Sequence, residues 1–246
     1  MRIYAAVKCG IGKKQCEDVA IVGDTIVIDS IVELSLLNSG AICIADGVGG
    51  NEGGYAASSF IAEQLRIFKA SDNFEDKAIR KKLDDINASL IEKGNSINLP
   101  DMATTLTGLI CTMNQKYIVH IGNTRAYILQ GQYLKQMTTD HTVYNRLLRM
   151  GRIDEATQRN RNELTNCLGG KNVRLADGLS VVPVQDFNTM ILTSDGIHDF
   201  VSIDELERLL ASDETGLEKC SNILQSAVCA GSKDDMSVII IMDGKD

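Results

Sequence analysis

Short runs of apolar residues dominate the first fifty positions of the chain. The segments RIYAAV (2–7), DVAIVG (18–23), TIVIDSIVELSLL (25–37) and AICIAD (41–46) have the length and the β-branched content of strands. The fourth run is followed by GVGGNEGG (47–54), which holds five glycines in eight residues. The backbone after Asp46 must therefore turn sharply or pass close to another group.

Two helices are predicted after these glycines, over residues 55–69 and 75–93. Their apolar side chains recur at helical spacing and lie opposite charged faces, so each helix should pack one side on a core. These side chains are Phe60, Ile61, Leu65 and Phe68 in the first helix and Ile79, Leu83, Ile86 and Leu90 in the second.

From residue 102 the helical spacing of apolar residues gives way to the alternation of apolar and polar residues that is typical of strands. The segments MATTLTGLICTM (102–113), KYIVHIGN (116–123), TRAYILQ (124–130) and QYLKQM (132–137) are separated by turn signals. This pattern predicts an antiparallel meander and gives no strand–helix–strand crossover.

The last hundred residues mix polar segments, strands and helices. Residues 141–178 are weakly periodic and predict one or two short helices and a surface flap. A strand (188–195), a helix capped by Ser202 and Glu205, a helix over about 214–230 and a strand (236–242) follow. The whole pattern predicts an α+β fold, most simply two sheets covered by helices, in one domain over residues 1–246.

Composition narrows the class of function. The 25 basic and 33 acidic residues give a net charge of −8, which disfavours nucleic acid as a partner. The sequence has no signal-peptide pattern and no apolar run of bilayer length, and its seven cysteines form no C-x-x-C pair. We therefore expect a cytoplasmic monomer with reduced thiols and no membrane partner.

Three aspartates stand at the ends of strongly apolar strands. Asp46 ends AICIAD, Asp195 ends NTMILTSD, and Asp234 precedes MSVIIIM. Converging carboxylates raise one another's pKa unless cations lie among them, and oxygen donors without His or Cys select Mg²⁺ or Mn²⁺. A nucleotide-binding loop is the competing interpretation of the glycines, but neither G-x-G-x-x-G nor the P-loop pattern is present. A single Asp-Gly alone would indicate only a solvated turn.

Seven segments, in order along the whole chain, resemble the motifs of the metal-dependent serine/threonine protein phosphatases, the type 2C or PPM class. They are CEDVAIV (16–22), IADGVGG (44–50), MATTLTGLI (102–110), HIGNTRAYIL (120–129), TTDHTV (138–143), LTSDGIHD (192–199) and KDDMSVIII (233–241). The resemblance implies a four-layer αββα sandwich with a binuclear Mn²⁺ or Mg²⁺ centre at one end. A water that bridges the two ions would then hydrolyse phosphoserine or phosphothreonine in protein substrates, among them those of a serine/threonine kinase.

The resemblance also implies roles for individual residues. Asp46 would bridge the two metals, the Gly47 carbonyl would bind one, and Asp195 and Asp234 would hold the other. Glu17 and Asp18 would fix metal-bound waters from the inner or second shell.

Four positions depart from the family pattern. Lys13 stands where an arginine usually contacts the substrate phosphate, although Lys14 is an alternative for this contact. Asn123 replaces an aspartate that helps to bind a third metal, so that a third ion would be weak or missing. Val48 replaces a histidine suited to protonating the leaving group, and Asp235 replaces an asparagine. These departures keep a second hypothesis open, in which the chain is a catalytically weak relative that binds phosphoproteins or regulates a partner.

Overall fold

Two antiparallel sheets carry the structure. In the computed structural model, residues 1–36, 39–48, 52–68, 75–170, 175 and 178–244 are described. The first sheet has, in spatial order, β10 (Tyr133–Gln136), β9 (Arg125–Gln130), β13 (Thr189–Thr193), β14 (Met236–Met242), β1 (Arg2–Lys8) and β4 (Ser30–Ser35). The second has β11 (Leu168–Gly169), β6 (Ala103–Thr104), β5 (Gly40–Val48), β7 (Leu106–Cys111), β8 (Lys116–Ile121) and β12 (Ser180–Val184). In the same sheet β2 (Asp18–Val22) also pairs with β5, and β3 (Thr25–Val27) pairs with β2.

Helices cover the outer face of each sheet. On the second sheet these are α1 (Glu52–Arg66) and α2 (Asp76–Ser96), and on the first sheet they are α5 (Asp195–His198), α6 (Ile203–Leu210) and α7 (Gly216–Cys229). Two short helices, α3 (Val143–Arg149) and α4 (Ile153–Thr157), pack against each other. In the described part of the chain, no helix combines the length and the apolar content needed to cross a bilayer.

Three apolar clusters separate four layers. One lies between α1, α2 and the second sheet, one between the two sheets, and one between the first sheet and α6 and α7. Along β5, Cys43 and Ala45 face the helices, whereas Ile42 and Ile44 face the other sheet. Both faces of the central strands are therefore buried, which explains their continuous apolar runs. The predicted α+β sandwich of two antiparallel sheets flanked by helices is confirmed.

Several boundaries differ from the sequence prediction. The run 25–37 is not one strand, because the chain breaks at Asp29, whose φ of 44° lies in the left-handed region, and β4 then joins the other sheet. The sequence prediction missed β12, an edge strand in which Pro183 is tolerated, and also the short helix α5. The predicted helices are shifted by a few residues, from 55–69 to 52–66 and from 75–93 to 76–96.

Some predicted features lie outside the described residues. They are the end of the third run at Leu37, the end of the first helix at Lys69, the glycines Gly49 and Gly50, and positions 171–174 and 176–177 of the flap.

Candidate active site

The ends of strands from both sheets meet at one edge of the sandwich. Asp18 opens β2 and lies directly opposite Asp46 in the antiparallel register with β5. Asp195 follows β13, and Asp234 precedes β14, the strand that pairs with β13. The Asp18 carboxylate accepts a hydrogen bond of 2.7 Å from the Ser237 hydroxyl, which joins the second sheet to the first. The structure thus brings together the aspartates that the strand-end pattern singles out.

The main chain of Asp46 is fixed by the two threonines of the Thr-Thr segment. Its carbonyl accepts hydrogen bonds from the Thr105 N–H (2.9 Å) and from the Thr104 hydroxyl (2.9 Å). Its N–H donates to the Thr105 hydroxyl at 3.1 Å. Both threonines are fully buried, so this end of β5 holds the Asp46 side chain in one direction. The sequence showed the segment but gave no role for its hydroxyls.

The carboxylates at this edge crowd one another. Burial is the main cause that raises the pKa of Asp18 to about 7. Hydrogen bonds from Ser237 and Ser194 lower this pKa, whereas the charges of Asp235 and Asp195 raise it further. Burial, and then the charges of Asp18, Asp195 and Asp234, hold the pKa of Asp46 well above its ordinary value. Burial raises the pKa of Asp195 to about 6, and Asp234 and Asp199 add to this rise. Such a cluster lacks the positive charge that would stabilise it.

Lys13 supplies part of that charge. Its Nζ lies 2.5 Å from Asp234 Oδ1, 3.0 Å from Asp235 Oδ2 and 3.4 Å from Glu17 Oε2. Burial lowers the pKa of Lys13, but the hydrogen bonds and charges of Asp234 and Asp235 outweigh burial and raise it well above its ordinary value. The residue expected to contact phosphate therefore contacts three carboxylates in this structure.

Asp235 makes more hydrogen bonds at this edge than the sequence indicates. Besides Lys13, it accepts hydrogen bonds from the backbone N–H groups of Gly10 (2.7 Å) and Glu17 (2.8 Å). The side chain is buried, and both of its oxygens are used. This aspartate anchors the loop between β1 and β2 to the start of β14.

Two buried oxygens at this edge have no hydrogen-bond partner among the described residues, Glu17 Oε1 and Asn123 Oδ1. The amide nitrogen of Asn123 donates to Asp195 Oδ2 at 3.0 Å. An unpartnered buried acceptor is costly, and a cation is a partner that would satisfy it.

Glycines let the second sheet and α1 approach closely. The Gly47 N–H donates to the Glu17 carbonyl at 3.1 Å. A Cβ on Gly47 would lie 2.3 Å from the Gly54 carbonyl oxygen, and a Cβ on Gly54 would lie 2.3 Å from Glu17 Oε1. Only glycine fits at either position. The sequence prediction missed Gly54, although the paired glycines of GVGGNEGG were a visible signal.

The donors at this edge fit a hard divalent cation in chemistry. They are carboxylate and amide oxygens, the donor type that Mg²⁺ and Mn²⁺ prefer. The pKa values of Asp46 and Asp195 are raised, and one oxygen each of Glu17 and Asn123 has no hydrogen-bond partner among the described residues. In the conformation of the described residues, however, no group of three or more His, Cys, Asp or Glu side chains is arranged to hold a metal ion. At this edge Asp234 binds the Lys13 ammonium.

A groove of about 450 Å³ opens beside the carboxylates. Lys13, Asp195 and Asp234 line it on the carboxylate side, together with Lys233. On the other side Asn162, from the predicted flap, donates a hydrogen bond of 2.9 Å to Asp199 Oδ2. The groove gives a substrate access to the carboxylate edge from solvent.

The histidines do not line this groove. His120 bonds the Thr107 hydroxyl at 2.8 Å and the Thr139 carbonyl at 2.9 Å, and burial followed by the charge of His141 lowers its pKa to about 4. His198 bonds the Thr193 hydroxyl at 2.9 Å, and His141 accepts a hydrogen bond of 3.1 Å from the Gly122 N–H. Their hydrogen-bond partners give these histidines structural roles.

Comparison with known proteins decides the family. The family model of protein phosphatase 2C matches residues 24–226. The chain belongs to this family. It is therefore a phosphoprotein phosphatase, and metal dependence is general among such enzymes. The resemblance seen in the sequence motifs is confirmed.

Named relatives extend over most of the chain. The serine/threonine phosphatase Stp of Listeria monocytogenes is 30% identical over 219 residues, which cover 83% of this chain and 84% of the relative. The protein phosphatase PhpP of Streptococcus pneumoniae is 26% identical over 208 residues, covering 81% and 84%.

Solved structures show the same fold. The serine/threonine phosphatase Stp1 of Staphylococcus aureus superposes with a TM-score of 0.82 at 24% identity, covering 99% of this chain and 95% of that one. The serine/threonine phosphatase of Mycobacterium tuberculosis gives 0.78 at 24% identity, covering 98% of both chains.

Proposed function

We propose that this phosphatase hydrolyses phosphoserine and phosphothreonine in proteins, with two Mn²⁺ or Mg²⁺ ions at the carboxylate edge. The observation that carries the proposal is the crowding of Asp18, Asp46 and Asp195 beside a solvent-open groove that Asp195 lines. The similarity to Stp of Listeria monocytogenes, a serine/threonine phosphatase, supports it.

Asp46, the Gly47 carbonyl, Asp195 and Asp234 are the groups that would hold the ions. When bound, the ions would lower the pKa of water and offset the charge that develops on the phosphoryl oxygens. A third ion would be weakly held near Asn123 or missing, because Asn123 offers a neutral amide oxygen in place of a carboxylate. A kinase that phosphorylates serine or threonine residues would supply the substrate.

The residues of the chain then have distinct tasks. Asp18, held by Ser237, keeps the two sheets in register beside Asp46. Asp235 and the backbone of Gly10 and Glu17 keep Lys13 at the mouth of the groove, where its ammonium would bind a phosphate oxygen. None of the three histidines lines the groove, so a solvent molecule would protonate the leaving serine or threonine. The monomeric state and the cytoplasmic location remain predictions.

Substitution of Asp195 by Asn tests the proposal. We expect hydrolysis of p-nitrophenyl phosphate and of a phosphothreonine peptide at saturating Mn²⁺ to fall about a hundredfold or more, since a ligand to the ions is lost. EDTA should abolish the wild-type activity. The variant removes one charge from a crowded cluster, so its melting temperature should not fall.

Asp84→Asn, on the exposed face of α2, is the matched control and should keep the wild-type rate. Wild-type turnover in Asp195→Asn would refute the proposal. Negligible turnover by the wild type at saturating Mn²⁺, together with binding of phosphopeptide, would support the alternative of a phosphoprotein-binding relative.

A further inference from the structure

The contacts of Lys13 form a lysine clamp, which comprises Lys13, Glu17, Asp234 and Asp235. The Lys13 side chain is 31% exposed, whereas the side chains of Glu17 and Asp235 are 14% and 3% exposed. A lysine ammonium that contacts three carboxylates is held more firmly than a surface ion pair. The ammonium is nevertheless at the border of the groove, because Lys13 is one of its lining residues.

The clamp uses a carboxylate that the metal also requires. Asp234 Oδ1 accepts hydrogen bonds from the Lys13 ammonium at 2.5 Å and from the Asp235 N–H at 2.9 Å. A divalent cation and an ammonium repel each other and seek the same oxygens. Because Asp234 Oδ1 already accepts two hydrogen bonds, a cation that binds this oxygen displaces the ammonium.

The loop that carries Lys13 is anchored independently of its side chain. Asp235 holds the backbone N–H groups of Gly10 and Glu17, and a Cβ on Gly10 would lie 2.5 Å from the Lys233 carbonyl oxygen. The loop backbone is therefore packed tightly against the start of β14. The flexible four-carbon stem of Lys13 allows the ammonium to move while the backbone stays in place.

We propose that Lys13 is a positioning residue that takes the place of a cation at the carboxylate edge, and that metal binding displaces its ammonium into the groove. There it meets the phosphate of the substrate. Metal binding and phosphate binding are thereby coupled, because the ammonium is released from Asp234 only when a cation replaces it. The inference rests on the proposed function, but it concerns affinity and does not depend on turnover.

Lys13→Met tests the coupling, with Lys14→Met as its matched control. Lys14 is exposed, lies in the same loop and loses the same charge on substitution. The difference in Mn²⁺ affinity between the two variants therefore reports the contact of Lys13 with the carboxylates. Isothermal titration calorimetry measures Mn²⁺ affinity without substrate. We expect Lys13→Met to bind Mn²⁺ about tenfold more tightly than Lys14→Met.

Inorganic phosphate provides the second readout. For the Mn²⁺-loaded proteins, Lys13→Met should bind phosphate more weakly than Lys14→Met, because the displaced ammonium is missing. Without metal, Lys13→Met should melt at a lower temperature than the wild type, and Mn²⁺ should remove the difference. If Lys13→Met does not fold without metal, Lys13→Gln, which retains a hydrogen-bond donor for Asp235, replaces it.

The outcomes separate the two proposals. Equal or weaker Mn²⁺ affinity in Lys13→Met than in Lys14→Met would overturn the clamp and leave the phosphatase proposal intact. Unchanged phosphate affinity would also overturn it. A wild-type protein that binds no Mn²⁺ would overturn the proposed metal centre, and the clamp with it.

Discussion

At the scale of single residues, a neutral amide stands where the family pattern has an aspartate. Asn123 is buried and donates its amide N–H to Asp195, while its own oxygen lacks a described partner. This hydrogen bond lowers the pKa of Asp195, but burial raises it by more, so the pKa stays above its ordinary value. An amide donates a hydrogen bond to a carboxylate, whereas a second ionised carboxylate repels it.

Asn123→Asp should make the protein more dependent on metal. The substitution replaces a hydrogen bond by two like charges about 3 Å apart, which should cost about 1–3 kcal/mol of stability in EDTA. A bound cation would offset this cost, so hydrolysis at low Mn²⁺ should rise. Melting temperatures and initial rates across a Mn²⁺ series measure both effects.

Asn95→Asp, on the exposed surface of α2, controls for the added charge. An unchanged melting temperature in EDTA, or an unchanged rate at low Mn²⁺, would contradict the argument for Asn123.

At the scale of elements, the junction of β5 and α1 depends on the closeness of two backbones. Gly54 in the first turns of α1 lies against Gly47 at the end of β5, and a Cβ on Gly54 would come within 2.9 Å of the Gly47 carbonyl carbon and oxygen. The adjacent Gly53 differs, because its nearest neighbour would be Met102 Cα at 3.5 Å, an ordinary contact.

Gly54→Ala and Gly53→Ala should therefore change stability in opposite directions. In Gly54→Ala the new methyl group forces α1 away from Gly47 and Glu17, and about 1–3 kcal/mol of stability should be lost. In Gly53→Ala the higher helix propensity of alanine should stabilise the protein by about 0.5–1 kcal/mol. Urea unfolding of both variants measures the difference, and a similar effect at the two positions would disprove the close-packing explanation.

At the scale of the whole molecule, the sandwich brings carboxylates from both sheets to one edge, where Asp18 is fully buried and Asp234 is exposed. Asp18 and Asp46 belong to the second sheet, while Asp195 and Asp234 adjoin strands of the first. Their mutual repulsion lowers the stability of the metal-free fold. Cations bound at this edge, as proposed above, would offset the repulsion.

This arrangement predicts a pH dependence of the metal-free protein. The folded-state pKa values of Asp18 (about 7) and Asp46 are raised, so their contribution to stability is full at low pH and is lost as the pH rises through these values. The buried histidines act in the opposite direction, but above their ordinary pKa of 6.5 they are neutral in both states. Stability in EDTA should therefore fall by about 1–2 kcal/mol between about pH 6.5 and 8.

Two comparisons check this pH dependence by urea unfolding. Asp18→Asn, which keeps an acceptor for Ser237, should flatten the curve, and saturating Mn²⁺ should do the same for the wild type. Identical slopes in the wild type and in Asp18→Asn would show that the buried carboxylate does not titrate as argued.

The sequence alone determined most of the strands, the fold class and the positions of the metal-site candidates. Central strands with two buried faces appear as continuous apolar runs, and Asp46, Asp195 and Asp234 are visible because each adjoins such a run. The N-terminal caps of α6 and α7 also depend on neighbouring residues only. The side chains of Ser202 and Thr215 accept hydrogen bonds from backbone N–H groups three residues further along the chain. Interactions over a few residues are encoded in spacing.

Tertiary structure alone decided the contacts across the chain. Asp235 holds Gly10 from 225 positions away, Lys13 meets Asp234 instead of open solvent, and Gly54 packs on Gly47. The break at Asp29 and the pairing of β12 with β8 likewise depend on which sheet each segment joins. Spacing does not encode such contacts, because they arise only when packing of the two sheets and their helices brings distant segments together.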